Sequence, residues 1–344
     1  MRFALIHRAF SDQGGTERVG LGLANHLLAA GHAVDLWCQR CDGAPEGARV
    51  RALGGGGRGR IWKMLSLWRV SQRIPRQEYD VVIGLGRTAG HDLYRAGGGC
   101  HRAWVARQGW SAADAVEVAL DRRAVLGARR VVANSRLAAT ELIRWYNLPT
   151  ERLTVVHNGV NLTRFQPRAP SATPLPQPWL AFLGHGYARK GLPTALRALA
   201  RLPGMHLAIW GAERRPGPYQ ALARRLGVAD RAHFLGALAQ PEQILPGATA
   251  LLLPTRYDPF ANVVLEALAC WVPAITTADN GAAEVLPEPW MIVADPDDDA
   301  AFAAGVERVL QTPGLRDVAR AAAEAHPEAA AHAKLAELAM ELVR

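Results

Sequence analysis

The chain has 344 residues, 49% apolar and 21% charged, and a formal net charge of +9 from 40 Lys and Arg against 31 Asp and Glu. That length suits two domains with separate cores, and that balance of apolar and charged residues excludes wholesale disorder. No apolar run reaches the roughly 18 residues of a spanning helix, and the apolar stretch in MRFALIHRAFSDQGG is too short for a secretory signal. The excess positive charge admits nucleic acid, an anionic membrane or a phosphorylated ligand as partner and chooses none of them.

Residues 2–7 read as a buried strand, followed by a loop ending in Gly14 and Gly15 and a helix that opens at Thr16 and ends near Gly31. Residues 34–39, 81–85, 131–134 and 154–157 repeat the apolar run of a parallel strand covered on both faces. Residues 58–76, RGRIWKMLSLWRVSQRIPR, place Ile61, Leu65 and Trp68 at helical spacing among basic side chains, and residues 101–130 add further Trp and Arg. These two segments read either as an interfacial surface for an anionic membrane or as core faces edged with solvated arginine.

Residues 166–178 hold five prolines in thirteen positions, which neither a helix nor a central strand tolerates, so a linker is expected there. Charge changes sign at the same place. Residues 1–170 hold 25 basic and 13 acidic side chains, and residues 171–344 hold 15 and 18. Beyond the linker, strands are expected at 179–183, 206–210, 232–235, 249–254, 274–277 and 290–294, with helices at 193–202, 219–226, 262–270 and 298–310. The reading is α/β, with Rossmann-like domains at 1–165 and 179–325 facing across a cleft. The helix within 326–344 either returns to the first domain or stays with the second.

Several strand ends carry chemistry. Gly14 and Gly15 precede a helix start, where they make either a phosphate cradle or a plain turn. Arg189 and Lys190 follow the strand that opens the second domain, and two cations beside a helix start suit a diphosphate. Asp258 precedes a helix on which Glu266 is embedded among Val263, Val264, Leu265 and Leu268. A carboxylate in apolar surroundings needs a partner, and a ribose diol would serve. Asn280, Gly281 and Glu284 form a turn near the same strand ends. His91 and Asp92 are expected beyond the end of the strand 81–85, where Asp92 either orients a hydroxyl or caps a helix. Cys38 and Cys41 have the Cys-x-x-Cys spacing with no second ligand pair at zinc-ribbon distance, so they read as reduced thiols at a strand end.

The ordered set Gly14-Gly-Thr-Glu17, Val131-Val-Ala-Asn-Ser135, His157-Asn-Gly-Val-Asn161, Arg189-Lys-Gly191, Asp258 with Glu266, and Asn280-Gly-Ala-Ala-Glu284 resembles the retaining glycosyltransferases of family 4 over nearly the whole chain. Within that family, Gly14-Gly-Thr-Glu-Arg18 and Gly90-His-Asp-Leu-Tyr-Arg95 are most similar to lipopolysaccharide core α-1,3-glucosyltransferases that use UDP-glucose. The resemblance implies the glycosyltransferase B fold, no metal, and no cofactor beyond the nucleotide sugar. It implies that Arg189 and Lys190 hold the donor diphosphate and Glu266 the ribose. It sets Asp258 near the donor sugar, where relatives have Glu, and Ala261 where glycine is common. Asn262 and Val263 would offer N–H groups to the sugar, and Gly14 and Gly15 would face the phosphates. Asp92 would orient the acceptor, and the leaving phosphate would take the acceptor proton. A lipid-linked glycan acceptor and a peripheral place on the cytoplasmic face of the membrane follow, with segments 58–76 and 101–130 as the contact. A nucleic-acid-binding protein would explain the charge, but no helix-turn-helix, RNA-recognition or zinc-finger pattern accompanies it. A same-fold epimerase or a glycosyltransferase with another acceptor is the nearer alternative.

Overall fold

A computed structural model of the protein describes every residue except 12–13, 57, 169–174, 239 and 344. The chain forms two units, Met1–Asn158 together with Glu328–Arg344, and Gly159–Pro327.

The first unit runs β1 (Arg2–Ile6), β2 (Ala9–Phe10), α1 (Gly15–Ala29), β3 (Ala33–Cys38), β4 (Arg40–Cys41), β5 (Arg49–Ala52), α2 (Arg60–Ser71), β6 (Val81–Gly84), β7 (Leu93–Ala96), α3 (His101–Gln108), α4 (Ala112–Gly127), β8 (Arg130–Ala133), α5 (Arg136–Tyr146) and β9 (Leu153–Val155). Seven of these strands make one sheet in the order β5-β3-β1-β6-β7-β8-β9, every pair parallel, and β2 pairs with β4 apart from it. The apolar runs behave as a two-sided sheet requires. Phe3 and Leu5 of β1 enter one core with Val81 and Ile83, while Ala4 and Ile6 enter a second with Val82.

The second unit runs β10 (Trp179–Leu183), α6 (Leu192–Ala200), β11 (His206–Trp210), α7 (Gly217–Arg225), β12 (Ala232–Gly236), α8 (Pro241–Ile244), β13 (Ala250–Leu253), α9 (Asn262–Ala269), β14 (Ala274–Thr277), β15 (Ile292–Val293), α10 (Asp299–Gln311) and α11 (Leu315–Glu324). Its sheet has the order β12-β11-β10-β13-β14-β15, again all parallel. A final helix, α12 (Glu328–Met340), belongs to the first unit, where Leu335, Ala336, Leu338 and Ala339 pack with Leu23 and Leu27 of α1.

In both main sheets the strand order reverses beside the first strand, between β1 and β6 and between β10 and β13. Ligands of doubly wound sheets bind beyond the carboxyl ends of the strands at such points. The α/β class and the paired parallel sheets agree with the sequence reading. Two strands of the seven-stranded sheet escaped it, as did the short pair β2 and β4: β5, RVRA, is an edge strand exposed along its whole length, and β7, LYRA, carries an arginine inside the sheet.

The domain boundary differs from expectation. The sequence pattern places residues 159–165 with the first domain, yet Val160 and Phe165 are buried in the second unit's core. Val160 donates its N–H to His326 O at 2.9 Å, and Arg320 donates to the carbonyls of Phe165 and Ala269. The chain thus changes unit at Asn158, ahead of the proline-rich tract, and residues 169–174 of that tract lie outside the described residues.

Candidate functional site

In the second unit the switch point is built by the loops after β10 and β13. Gly191 caps the start of α6 with φ of 78°, and a Cβ there would overlap the carbonyl oxygen of Pro254, so only glycine lets the two loops approach. A Cβ on Gly184 would lie 2.7 Å from Cγ of Lys190, whose side chain runs across it. Lys190 Nζ then donates to Asp258 Oδ2 at 2.7 Å, and Arg189 donates to the same oxygen at 2.9 Å and to Tyr257 O at 3.2 Å. Lys190 and Asp258 are buried, at 6% and 8% exposure, while a third of the Arg189 side chain is exposed. Burial alone would raise the Asp258 carboxyl, but the charges of Lys190 and Arg189 outweigh it and hold the group below the usual carboxylate range. Burial lowers the Lys190 ammonium, with the Asp258 charge opposing the shift.

Asp258 therefore spends Oδ2 on two cations, and its Oδ1 accepts the Phe260 N–H at 3.2 Å. These contacts make it a holder of Arg189 and Lys190. Asn280 ties the next stretch down: its Oδ1 accepts the N–H groups of Ala261 and Ala282 at 3.1 Å each, and its Nδ2 donates to Thr276 at 3.0 Å. The Ala261 N–H is thus engaged within the loop. Asn262 and Val263 open α9 directly after this tied-down stretch. Glu266 lies a turn further on, buried, and its charge helps Lys190 keep its proton.

Beside these residues, beyond β11 and β12, lies a cavity of about 510 Å³ lined by Tyr187, Gly211, Glu213, Arg214, Gln220 and Phe234 among others. Glu213 accepts the Tyr187 N–H at 3.1 Å, and the Tyr187 hydroxyl donates to Gly211 O at 3.0 Å. The site thus combines a cationic strand end with a pocket that holds aromatic and polar side chains, the combination a nucleoside diphosphate needs.

The first unit has its own cavity at the carboxyl ends of β1, β3 and β6, about 1010 Å³ in volume. Arg8, Arg40, Arg60, Lys63 and Arg87 line it, against Glu17 and Glu117. Gly14 is the N-cap of α1, with φ of 107° and no side-chain cap, and Gly15 is the first helical residue. The helix start is not bare. Glu17 lies in its first turn and His7 faces its carboxylate, which with the Glu17 backbone N–H holds that carboxyl low against its burial.

Asp92 is not at this edge of the sheet. Because β7 runs parallel to β6, the chain must return to the amino end before it starts. Asp92 stands there, just ahead of β7. Its Oδ2 accepts the Val82 N–H at 2.9 Å and its Oδ1 binds Arg76 at 2.5 Å. Its main-chain oxygen accepts from Arg129 and Arg130. The expected orienting residue is therefore a brace at the opposite edge. His91 is likewise interior: its Nε2 lies 2.9 Å from Ala124 O, and burial lowers its pKa to about 4.

The two basic segments separate on the structure. In α2, Trp62 is 61% exposed, and Arg58, Arg69 and Arg73 line a groove beside it that contains no carboxylate among the described residues. In 101–130 the acids turn inward: Glu117 pairs with Arg60 and Arg87, Asp121 with Arg87, and Asp114 with Arg60 and His101. This ionic cluster was not visible in the sequence, since its members come from α2, α3, α4 and the loop after β6. His101, Asp114 and Glu117 bring ligand-type atoms within 4.8 Å of one another, but the two arginines already occupy the carboxylates and their charge opposes a metal ion. The four cysteines are free thiols, and burial pushes Cys38 up to about 12. Among the described residues no helix is long and apolar enough to cross a membrane.

Comparison with known proteins agrees with this geometry. Part of the chain is similar to D-inositol 3-phosphate glycosyltransferase of Mycolicibacterium smegmatis, 31% identical over 174 residues, a match spanning 47% of this chain and 40% of that relative. A probable transglycosylase of Burkholderia thailandensis is 27% identical over 99% of this chain and 97% of its own length. Among solved structures, WaaG, a glycosyltransferase involved in lipopolysaccharide biosynthesis, superposes with a TM-score of 0.83 at 21% identity, over 98% of this chain and 99% of its own. Anabaena HepE in complex with UDP and glucose superposes at 0.74 and 17% identity, over 98% and 99%. Residues 13–164 match the model of Glycosyltransferase Family 4 and residues 164–326 that of Glycosyl transferases group 1, so the chain carries these two glycosyltransferase domains in succession on a glycosyltransferase B fold.

Proposed function

We propose that the protein transfers a hexose, glucose, from a UDP-sugar to a lipid-linked phosphorylated glycan such as the lipopolysaccharide core, with retention at the anomeric carbon and without a metal ion. The observation that carries this reading is the Arg189–Asp258–Lys190 arrangement at the switch point of the second unit, beside a cavity of about 510 Å³ lined by Tyr187 and Phe234. The donor sugar–oxygen bond breaks with its electron pair going to the diphosphate, and cations fixed in advance stabilise that charge most strongly in the transition state. Asp258 holds the two cations in place, Glu266 takes the ribose hydroxyls, and the N–H groups that open α9 face the sugar. The leaving phosphate receives the acceptor proton. The Anabaena relative bound to UDP and glucose supports the donor, and WaaG supports the acceptor class.

The groove at α2, with Trp62 and Arg69 on the helix and Arg58 and Arg73 flanking it, supports a peripheral place on the anionic inner face of the cytoplasmic membrane. Thermal-shift titration against UDP-, GDP- and ADP-sugars tests the donor: stabilisation by UDP-glucose is expected, and its absence alongside stabilisation by another nucleotide sugar would reject it. Sedimentation with phosphatidylglycerol and phosphatidylcholine vesicles tests the surface. Salt-sensitive binding to the anionic vesicles alone is expected, and equal binding to both would count against it.

A further inference from the structure

The cavity of the first unit contains a pair that the donor chemistry does not use. His7 follows β1 and Glu17 lies in the first turn of α1, and both line the cavity. His7 Nε2 and Glu17 Oε1 stand 3.9 Å apart. That is too long for a hydrogen bond, but one hydroxyl oxygen fits between them at roughly 2.8 Å from each. The ring is held for this. Phe10 meets it edge-on, with ring centroids 6.1 Å apart. Its other nitrogen, Nδ1, is buried without a partner against Gly86, where a Cβ would lie 2.8 Å away. Only the Nε2 edge is left to face the cavity.

The charges around the pair decide what can sit there. Glu17 repels an anion at the His7 position and accepts from a hydroxyl. Arg60 and Arg87 are neutralised together by Asp114, Glu117 and Asp121, and Arg40 pairs with Asp42 at 2.7 Å. Arg8 and Lys63 form no salt bridge among the described residues, and they line the same space. The cavity thus has a hydroxyl-selecting end and two cations that form no salt bridge among the described residues, Arg8 acting on Glu17 only through its field.

We propose that this cavity binds a phosphorylated sugar, with one sugar hydroxyl seated between His7 and Glu17 and the phosphate taken by Arg8 and Lys63. The proposal rests on the reading of the first unit as the acceptor-binding part of a glycosyltransferase, and it names the acceptor chemistry.

The test is calorimetric titration of the full chain with D-glucose 6-phosphate, inorganic phosphate and glucose as probes. Glucose 6-phosphate is expected to bind at least tenfold more tightly than either simpler probe. His7→Phe and Glu17→Gln should each remove that tenfold advantage while leaving inorganic phosphate binding unchanged, and the double variant Arg8→Gln with Lys63→Gln should weaken both phosphates. Equal binding of glucose 6-phosphate and inorganic phosphate by the unaltered protein would overturn the proposal. So would unchanged glucose 6-phosphate binding in both His7 and Glu17 variants. Displacement of the sugar phosphate by phosphatidylglycerol vesicles assigns the ligand to a membrane surface, persistence assigns it to a free or glycan-borne sugar phosphate, and both uphold the pocket chemistry. UDP binding is measured in parallel on each variant: it reports that the chain is folded, and its loss in the unaltered protein would strike the donor reading alone.

Discussion

Replacing Lys190 with alanine separates what the lysine does for stability from what it does for transfer. Its Nζ is 2.7 Å from Asp258, and both groups are buried. Breaking a buried ion pair by removing one partner costs about 3–5 kcal/mol when the remaining charge is left alone. Here Asp258 keeps Arg189 at 2.9 Å and the Phe260 N–H at 3.2 Å, so the loss should fall to about 2 kcal/mol. For a unit of this size that lowers the melting temperature by about 4–8 °C. The effect on turnover should be larger, because one fixed donor to a developing oxyanion is worth about 100–1,000-fold in kcat. Release of UDP from UDP-glucose with a lipopolysaccharide core acceptor reads the second effect, and thermal unfolding the first. The double variant Lys190→Ala with Asp258→Asn removes the buried charge that Arg189, a third exposed, offsets only in part. It should regain part of the melting temperature and none of the turnover. Near-normal turnover in Lys190→Ala, or a double variant less stable than the single one, would refute the reasoning.

Three further outcomes follow from particular contacts. Gly191→Ala drives a Cβ into the Pro254 carbonyl and should prevent the second unit from folding, whereas Gly186→Ala, with φ of 74° but open space around it, should cost only about 1 kcal/mol in urea unfolding. Comparable losses for the two would dismiss the close-approach argument. Asp92→Asn should reduce stability through its contacts with Arg76 and Val82 while the folded protein keeps its kcat, and a selective fall in kcat at unchanged stability would return Asp92 to the reaction. His332 lies against Gly22, and burial, with the Arg95 and His26 charges, lowers it from 6.5 to about 4. The folded state thus keeps it neutral where the unfolded chain takes a proton. Its contribution is complete above pH 6.5 and declines as pH falls toward 4, by about 3 kcal/mol in all. Urea unfolding of His332→Gln should show a shallower loss over that window, and an identical loss would refute the assignment.

The legibility of the fold and the site divides along the range of the interactions involved. Apolar runs such as Phe3-Ala-Leu-Ile6 and Ala250-Leu-Leu-Leu253 announce buried parallel strands without reference to the rest of the chain. Arg189 and Lys190 were legible for a similar reason: the strand–loop–helix order fixes the end of the sheet on which they stand. The sequence reading failed where a residue's role depends on the path of a loop or on groups far along the chain. Asp92 was assigned to the wrong edge because eight residues after the strand 81–84 carry the chain back across the sheet before β7 can pair. Arg95 broke the apolar pattern of β7, and its strand went unseen, because the oxygen that receives its guanidinium belongs to Asn158, 63 positions later.

By itself, then, the sequence determined the α/β class, the two parallel sheets and the cationic strand end of the second unit, since each is written in a local pattern of apolar and charged side chains. Only the tertiary structure decided that the chain changes unit at Asn158 and that α12 returns to pack on α1. It also decided which of the many arginines are free. Arg60 and Arg87 are neutralised by acids on α4, while Arg8 and the lysine Lys63 form no salt bridge among the described residues. A net charge of +9 cannot make that distinction, because whether a charge is available depends on its neighbours in space and not on its place in the chain.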